Sequence, residues 1–116
     1  MDETPEFISL NGVEYQKLPD ASTLPYVMVR TYSAGVFAGY LKHREGKEVE
    51  LLNARRIWYW DGAASLSQLA MEGTKKPENC KFPCPVSSVI LTEAVEIIPI
   101  TETAKKSIES VTIWEA

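Results

Sequence analysis

The sequence predicts an α+β fold, an antiparallel β-sheet meander with a short central helix and a C-terminal helix. Three observations support this. Runs rich in β-branched and aromatic residues follow one another between residues 26 and 60, with glycine-containing turns between them. A serine precedes a short apolar stretch at residues 65–71, and apolar side chains recur at helical spacing in residues 101–110.

The first 25 residues predict a hairpin followed by a loop. Asn11 and Gly12 lie between two apolar-rich runs, residues 7–10 and 13–16. Asn-Gly at this place is a strong hairpin signal, because both turn positions need a positive φ. We therefore divide the chain into an N-terminal hairpin and loop, residues 1–25, and a single ligand-binding domain, residues 26–116.

The central strands are predicted from residue type and from the turns between them. Tyr26, Met28 and Arg30 share one face of the first strand, because side chains alternate along a strand. Gly39 is a candidate for a bulge or a close backbone approach. The three strands are predicted at residues 26–32, 36–42 and 49–60, the last of them bent, with turns at 33–35 and 43–46.

The second half of the domain carries signals for two helices. Ser65 is a suitable N-cap for the central helix, Gln68 completes a capping-box pattern and Gly73 is a suitable stop. Ala104 and Ile108 share one face of the C-terminal helix. An ordered loop at 74–85 and one or two strands within 89–98 complete the prediction.

Composition excludes several classes of protein. The 116 residues are 45% hydrophobic and 24% charged, with a net charge of −4. This balance argues against a general coat for DNA or RNA, whose affinity comes from neutralising many phosphates. There is no apolar run long enough to span a membrane, and the acidic N-terminus lacks signal-peptide features. We expect a cytoplasmic protein with reduced thiols.

Residues for conventional catalysis are few. The single histidine, His43, falls in a predicted charged turn, and neither a nucleophile elbow nor a phosphate loop occurs. Cys80 and Cys84 lack the second pair of a zinc site, which favours two partly buried thiols over a redox role or a disulfide. We expect no enzymatic activity, no catalytic residue, no metal and no cofactor.

Residues 53–70 carry the most informative pattern. Arg55 and Arg56 are neighbours on a strand and point to opposite faces, so at most one lines a given pocket unless the strand bulges. Three large aromatics follow, and then small residues lead into a helix N-terminus. Arginine forks and free helix amides bind phosphate, and an aromatic face stacks on a base. The pattern therefore suits a nucleotide-like ligand.

Two other interpretations of this stretch stay open. Trp58 and Trp60 can belong to the core, with residues 62–64 forming a tight crossing of packed elements. Alternatively, the tryptophans form a patch that binds another protein.

The block RRIWYWDGAASL at residues 55–66, together with residues 29–41, 79–82 and 90–98, resembles a bacteriophage family that includes the first type of Thoeris anti-defence protein. The similarity covers about residues 27–114. The resemblance implies a protein that sequesters, without cleaving it, glycocyclic ADP-ribose, the alarm signal of a host TIR-domain enzyme. It also implies a homo-oligomer, a dimer or a hexamer, with pockets at subunit interfaces. In some members a separate site holds cyclic di- or trinucleotides of CBASS defence.

The resemblance also implies site residues. Arg30 and one of Arg55 and Arg56 match basic positions that meet the ligand phosphates, and Phe82 matches a residue that stacks on adenine. Backbone donors would come from Ala63, Ala64, Ser65 and Leu66.

We therefore expect a sponge for a cyclic ADP-ribose isomer in the host bacterial cytoplasm, with no DNA or membrane partner. Trp58, Trp60 and Trp114 are candidates for the subunit interface. The alternative is a phage structural or host-protein interaction module that uses Trp58 and Trp60 as its patch.

Overall fold

In the computed structural model, residues 23–115 are described in full and the strands β1 (Phe7–Leu10) and β2 (Val13–Gln16) by their backbone. These two strands pair antiparallel with Leu10 opposite Val13, which confirms the predicted hairpin strands. The turn residues Asn11 and Gly12, and the predicted loop up to residue 22, lie outside the described residues.

A five-stranded antiparallel sheet and two helices form the main body, so the predicted α+β fold is confirmed. The elements are β3 (Tyr26–Thr31), β4 (Val36–Glu45), β5 (Glu48–Arg56), α1 (Leu66–Glu72), a 3-10 turn (Pro77–Asn79), β6 (Val86–Leu91), β7 (Ala94–Pro99) and α2 (Glu102–Ser110). The strand order in the sheet is β6-β5-β4-β3-β7. Strands β3 to β6 form a meander, and β7 pairs with the free edge of β3.

The sheet must curl strongly, because only two residues connect its opposite edges. Leu91 ends β6 and Ala94 begins β7, and three Cα–Cα steps reach at most about 11 Å. The edges of a flat five-stranded sheet would stand about 19 Å apart. The curl also brings the β4–β5 turn to this corner, where the Ala94 N–H donates to the Lys47 carbonyl at 3.0 Å.

Gly39 and Asn53 mark the place where the sheet bends. Ala38 faces Arg55 and Tyr40 faces Leu52, so β5 carries one residue more than β4 between these pairs. Asn53 takes up the extra residue with a φ of 50°, and a Cβ on Gly39 would lie 3.0 Å from the Cα of Ala54. The close approach predicted at Gly39 is confirmed, and the bulge lies opposite it, at Asn53 in β5.

Each face of the sheet buries its own core. The concave face packs side chains from all five strands, including Val29, Phe37 and Leu51. The other face packs Met28 and Ala38 against the helices and the loop before β6. This second core contains Ile57, Leu69, Ala70, Cys80, Phe82, Ile108 and Val111.

The predicted caps of α1 are confirmed, and α2 has a side-chain N-cap of its own. The Ser65 hydroxyl accepts the Gln68 N–H at 3.2 Å, and Gly73 ends α1 with a φ of 80°. The Gln68 side chain reaches back to the Ala64 N–H at 2.7 Å, one residue before the amide that a capping box uses. At α2, the Thr101 hydroxyl accepts the Ala104 N–H.

Three predicted boundaries were wrong. Residues 43–45 continue β4, and the turn is Gly46–Lys47, because this end of the hairpin is exposed on both sides and charged residues cost it little. The third strand ends at Arg56 rather than Trp60, since β4 begins at Val36 and supplies no further ladder partner. β6 begins at Val86 because Ala54 pairs with that residue.

Gly39→Ala tests the close approach at the bend. The added methyl group meets backbone in a packed core, so we expect the free energy of unfolding to fall by about 1–3 kcal/mol. Denaturant unfolding measures the change. The control is Gly46→Asn, at a turn with a φ of 60° and open space around the missing Cβ. Because Asn tolerates this backbone conformation, the loss of unfolding free energy should stay under about 0.5 kcal/mol. Equal losses in the two variants would contradict the close approach.

Candidate ligand-binding groove

Arg55 points into the second core and is 6% exposed. Its guanidinium donates to four backbone carbonyls, those of Phe82 (3.1 Å), Pro83 (3.1 Å), Ile108 (3.0 Å) and Val111 (2.7 Å). Among the described residues no carboxylate pairs with it, and burial lowers the pKa of this guanidinium. Arg55 therefore joins β5 to the loop before β6 and to the end of α2.

Phe82 is completely buried beside Arg55, whose guanidinium carbon lies 5.5 Å from the ring centroid. A ring in this position cannot stack on a base that arrives from solvent. The interpretation of Phe82 as the adenine-stacking residue does not fit this placement. The reason is long-range, because the Arg55 bonds to the Phe82 and Pro83 carbonyls hold this segment against the core.

Arg56 leaves the strand on the opposite face and is exposed, as the alternation of side chains predicts. Its guanidinium carbon lies 4.3 Å from the centroid of the Phe37 ring, and Nη1 donates to the Ala34 carbonyl. Four of its five N–H groups have no partner among the described residues. The Phe37 ring and the Ala34 carbonyl thus orient the guanidinium and occupy only one of its N–H groups.

A groove of about 360 Å³ opens beside Arg56. One wall is the turn before β4, residues 33–36, and the other is the chain that follows β5, residues 57–60. Trp58 and Trp60 line it, and Trp58 is 58% exposed. Gly35 in this turn has a φ of 93°, a backbone conformation that favours glycine, and a Cβ there would only touch Nη1 of Arg56, at 3.7 Å.

Arg30 is not among the residues that line this groove. It pairs with Val36 and lies on the face of the sheet that carries Met28 and Arg55, whereas Arg56 lies on the other face, opposite Phe37. Its Nε donates to the Glu96 carboxylate at 2.9 Å, and about half of the side chain is exposed. The structure thus brings Arg56, Trp58 and Trp60 to one groove and leaves Arg30 outside it.

The four residues at the start of α1 do not line this groove. Ala64 and Ser65 are exposed, but the Ala64 N–H is taken by Gln68 and the Ser65 hydroxyl accepts the Gln68 N–H. Ala63 and Leu66 pack against the second core. Gly62 forms the tight crossing that was one of the open interpretations, because its carbonyl accepts the Lys75 N–H at 3.1 Å.

A second aromatic feature, which we call the tryptophan platform, joins Trp58 to Trp114. The two rings stack with centroids 5.3 Å apart and 19° between their planes. The Lys81 ammonium lies 5.6–5.8 Å from the ring centroids of Trp58, Tyr59 and Trp114. Sequence reasoning missed Lys81, whose position follows from the bridge between Tyr59 and Lys81 and not from any local pattern.

The remaining candidates sit apart from the groove. His43 lies on β4 rather than in a turn, is exposed and stands 3.8 Å from the Glu45 carboxylate. Both cysteines are free thiols, Cys80 buried and Cys84 exposed. Across the described residues, no three His, Cys, Asp or Glu side chains come together as metal ligands would. No helix in that part of the chain is long and apolar enough to cross a membrane.

The fold and the groove define a small α+β domain whose surface groove combines arginine with tryptophan. The chain belongs to the family described as a domain of unknown function, DUF6948, whose model matches residues 24–108. The match begins just before β3 and includes Arg56 and both tryptophans of the groove. Neither a search of curated proteins nor a search of solved structures gave a match.

The two adjacent arginines should differ sharply in what they do for stability. Lysine cannot reach four carbonyls, so Arg55→Lys leaves buried acceptors unpaired and should lower the free energy of unfolding by about 3 kcal/mol or more. Arg56→Lys, in an exposed position, should cost less than about 1 kcal/mol. Chemical denaturation of both variants makes the comparison. A small loss for Arg55→Lys would show that the four bonds contribute little.

Proposed function

We propose that this protein binds and sequesters an anionic, nucleotide-derived signal without cleaving it. Glycocyclic ADP-ribose is the ligand that the resemblance to Thoeris anti-defence proteins implies. The observation that carries the proposal is the orientation of Arg56 in an aromatic-lined groove, where four of its N–H groups have no partner within residues 23–115. A guanidinium fork of this kind takes two phosphate oxygens, and each charge-assisted bond is stronger than a neutral one.

The groove supplies partners for the other parts of such a ligand. Trp58 and Trp60 offer aromatic faces, and stacking of a base on one aromatic contributes about 1–3 kcal/mol. In this proposal they take the stacking role that the resemblance assigned to Phe82.

The size of the groove favours a shared pocket. A volume of about 360 Å³ lies near the lower end for small-molecule sites, and this groove is open to solvent. A cyclic dinucleotide-sized ligand would keep one side exposed unless a second subunit covered it. We therefore propose a homo-oligomer, a dimer or a hexamer assembled from dimers, acting in the host bacterial cytoplasm. A separate site for CBASS cyclic di- or trinucleotides stays a prediction.

The deciding experiment measures capture and release of the signal. The protein is incubated with cyclic ADP-ribose isomers and cyclic oligonucleotides, freed of unbound ligand, denatured and analysed by chromatography. We expect one isomer to return intact from the wild type. Arg56→Ala should weaken its binding about tenfold to a hundredfold, because the phosphate loses its fork.

The matched control is Lys106→Ala, which removes a positive charge from the exposed side of α2. It should leave the affinity unchanged. Linear ADP-ribose among the released products would show that the protein cleaves the signal, and would contradict sequestration. Full affinity in the Arg56→Ala variant would mean that the signal does not bind in this groove.

The tryptophan platform supports a second candidate, a module that binds a phage or host protein. Trp58, Trp114 and the neighbouring Ile113 are each more than 40% exposed. Exposed aromatic side chains beside a cation are typical of protein interfaces. The same surface also suits the contact between subunits of the proposed oligomer. The two candidate functions therefore differ in what binds the platform, which is a second copy of this chain in one and another protein in the other.

Light scattering separates these possibilities. We expect a dimer or larger assembly at micromolar concentration, with Trp114→Ala raising the dissociation constant at least about tenfold, since buried aromatics dominate such contacts. Tyr32→Ala is the control, because Tyr32 is 82% exposed and stands outside the platform. A monomer with full affinity for the signal would contradict the shared pocket and leave the platform to a partner protein.

A further inference from the structure

We propose a second ligand site, a cavity that takes a neutral nucleobase bearing an exocyclic amine. This base cavity, of about 160 Å³, lies between the bulge of β5 and the end of α2. Its polar groups come from Tyr26, Asn53, Arg55 and Glu109, and its apolar walls include Val111 and Ile113. Arg55 is the one member of this lining that the sequence analysis named as a candidate ligand residue, and the family description assigns no role to the place.

The bulge that bends the sheet also turns Asn53 toward this cavity. Asn53 is the one described residue other than glycine with a positive φ. Bulges re-aim side chains, and left-handed backbone at a non-glycine residue concentrates at binding sites. The Asn53 amide is exposed and has no hydrogen-bond partner among the described residues, so it can offer both a donor and an acceptor.

Arg55 limits what the cavity can bind. Four of its five N–H groups are already on backbone carbonyls, which leaves a single N–H on Nη1. A carboxylate or phosphate needs two parallel donors for tight capture, and Arg55 cannot provide them. One neutral acceptor, such as a ring nitrogen or a carbonyl oxygen, matches the donor that remains.

Tyr26 and Glu109 supply the complementary groups. The Tyr26 ring is half-buried and packs edge-on against Tyr40, with centroids 4.9 Å apart. Burial first, and then the Glu109 charge, raise the pKa of Tyr26, so its hydroxyl stays protonated and can donate. Glu109 has no ion pair among the described residues and can accept from an amine.

These groups together select a neutral, planar molecule. The Glu109 charge disfavours an anion and the buried Arg55 charge disfavours a cation. A base with an exocyclic amine offers its N–H to Glu109 or Asn53 and a ring acceptor to Arg55 or Tyr26. The volume equals that of about five waters, which suits one ring system rather than a whole cyclic dinucleotide.

The base cavity is independent of the proposed sequestration groove. Arg55 and Arg56 leave β5 on opposite faces, and the two linings share no residue. A nucleoside can also stack on Trp58 or Trp60, so binding to the base cavity is followed at Val111 and Ile113, which line this cavity and not the groove. Without a phosphate, the nucleoside leaves the Arg56 fork unused.

The test is a titration of the wild-type protein with adenosine, cytidine and uridine, followed by the amide signals of Val111 and Ile113 in NMR spectra. We expect adenosine and cytidine to saturate in the millimolar range and uridine, which lacks the amine, to bind at least about fivefold more weakly. Tyr26→Phe and Asn53→Gly should each weaken adenosine about five- to tenfold, since each removes one hydrogen-bonding group. Glycine keeps the positive φ at position 53, so that variant retains the bulge.

Two controls separate this site from its neighbours. Tyr32→Phe, on an exposed tyrosine, should change nothing, and Arg56→Ala should leave adenosine binding intact even where it abolishes capture of the signal. AMP should bind the cavity no better than adenosine. Absence of saturable nucleoside binding, equal binding of uridine, or unchanged affinity in both the Tyr26 and the Asn53 variants would overturn the proposal.

Discussion

The packing around the second core depends on one buried guanidinium. Arg55 is fixed to β5, and its four donors meet carbonyls of residues 82–83 and of the end of α2. Without it those carbonyls would face a dry core unpaired, at about 1–3 kcal/mol each. A positive charge at the C-terminal end of α2 also agrees with the helix dipole. Phe82 is buried because its backbone is held from this side, and the loop before β6 is positioned with it.

The curl of the sheet places the groove. Because residues 92–93 alone join the two edge strands, the sheet has to bend, and the Gly39–Asn53 bulge permits this bend. At the other end of the same strands, β4 begins at Val36 while β5 ends at Arg56. The chain then leaves the sheet with the Ile57 N–H bonded to the Val36 carbonyl at 2.8 Å. The tryptophans that follow are thereby directed along the turn before β4, and the groove opens between them.

Local signals predicted the parts that local chemistry decides. Ser65 and Gly73 mark the ends of α1 through bonds within a few residues, and Gly39 indicated the close approach because no side chain fits there. What failed depends on contacts between distant residues. Strand alternation showed that Arg55 and Arg56 diverge, but which one is buried depends on α2, more than fifty residues later. Residues 43–45 suggested a turn because they are charged, although an exposed hairpin arm accepts charge on both faces.

The adjacency of the two arginines explains how one short strand serves both stability and binding. A buried structural guanidinium needs hydrogen-bond partners for its N–H groups, whereas a ligand-binding guanidinium needs N–H groups without partners. One side chain cannot meet both demands. Because side chains alternate along β5, the two guanidinium groups lie on opposite faces of the sheet. The hydrogen bonds of Arg55 therefore hold in place the strand that also carries Arg56. The Phe37 ring then orients Arg56 through a contact that uses none of its N–H groups. A one-residue shift of register would turn Arg56 into the core and Arg55 to the surface, and would bury a guanidinium without its hydrogen-bond partners. The bulge at Asn53 sets the register of Arg55. It is therefore needed for the groove as well as for the fold.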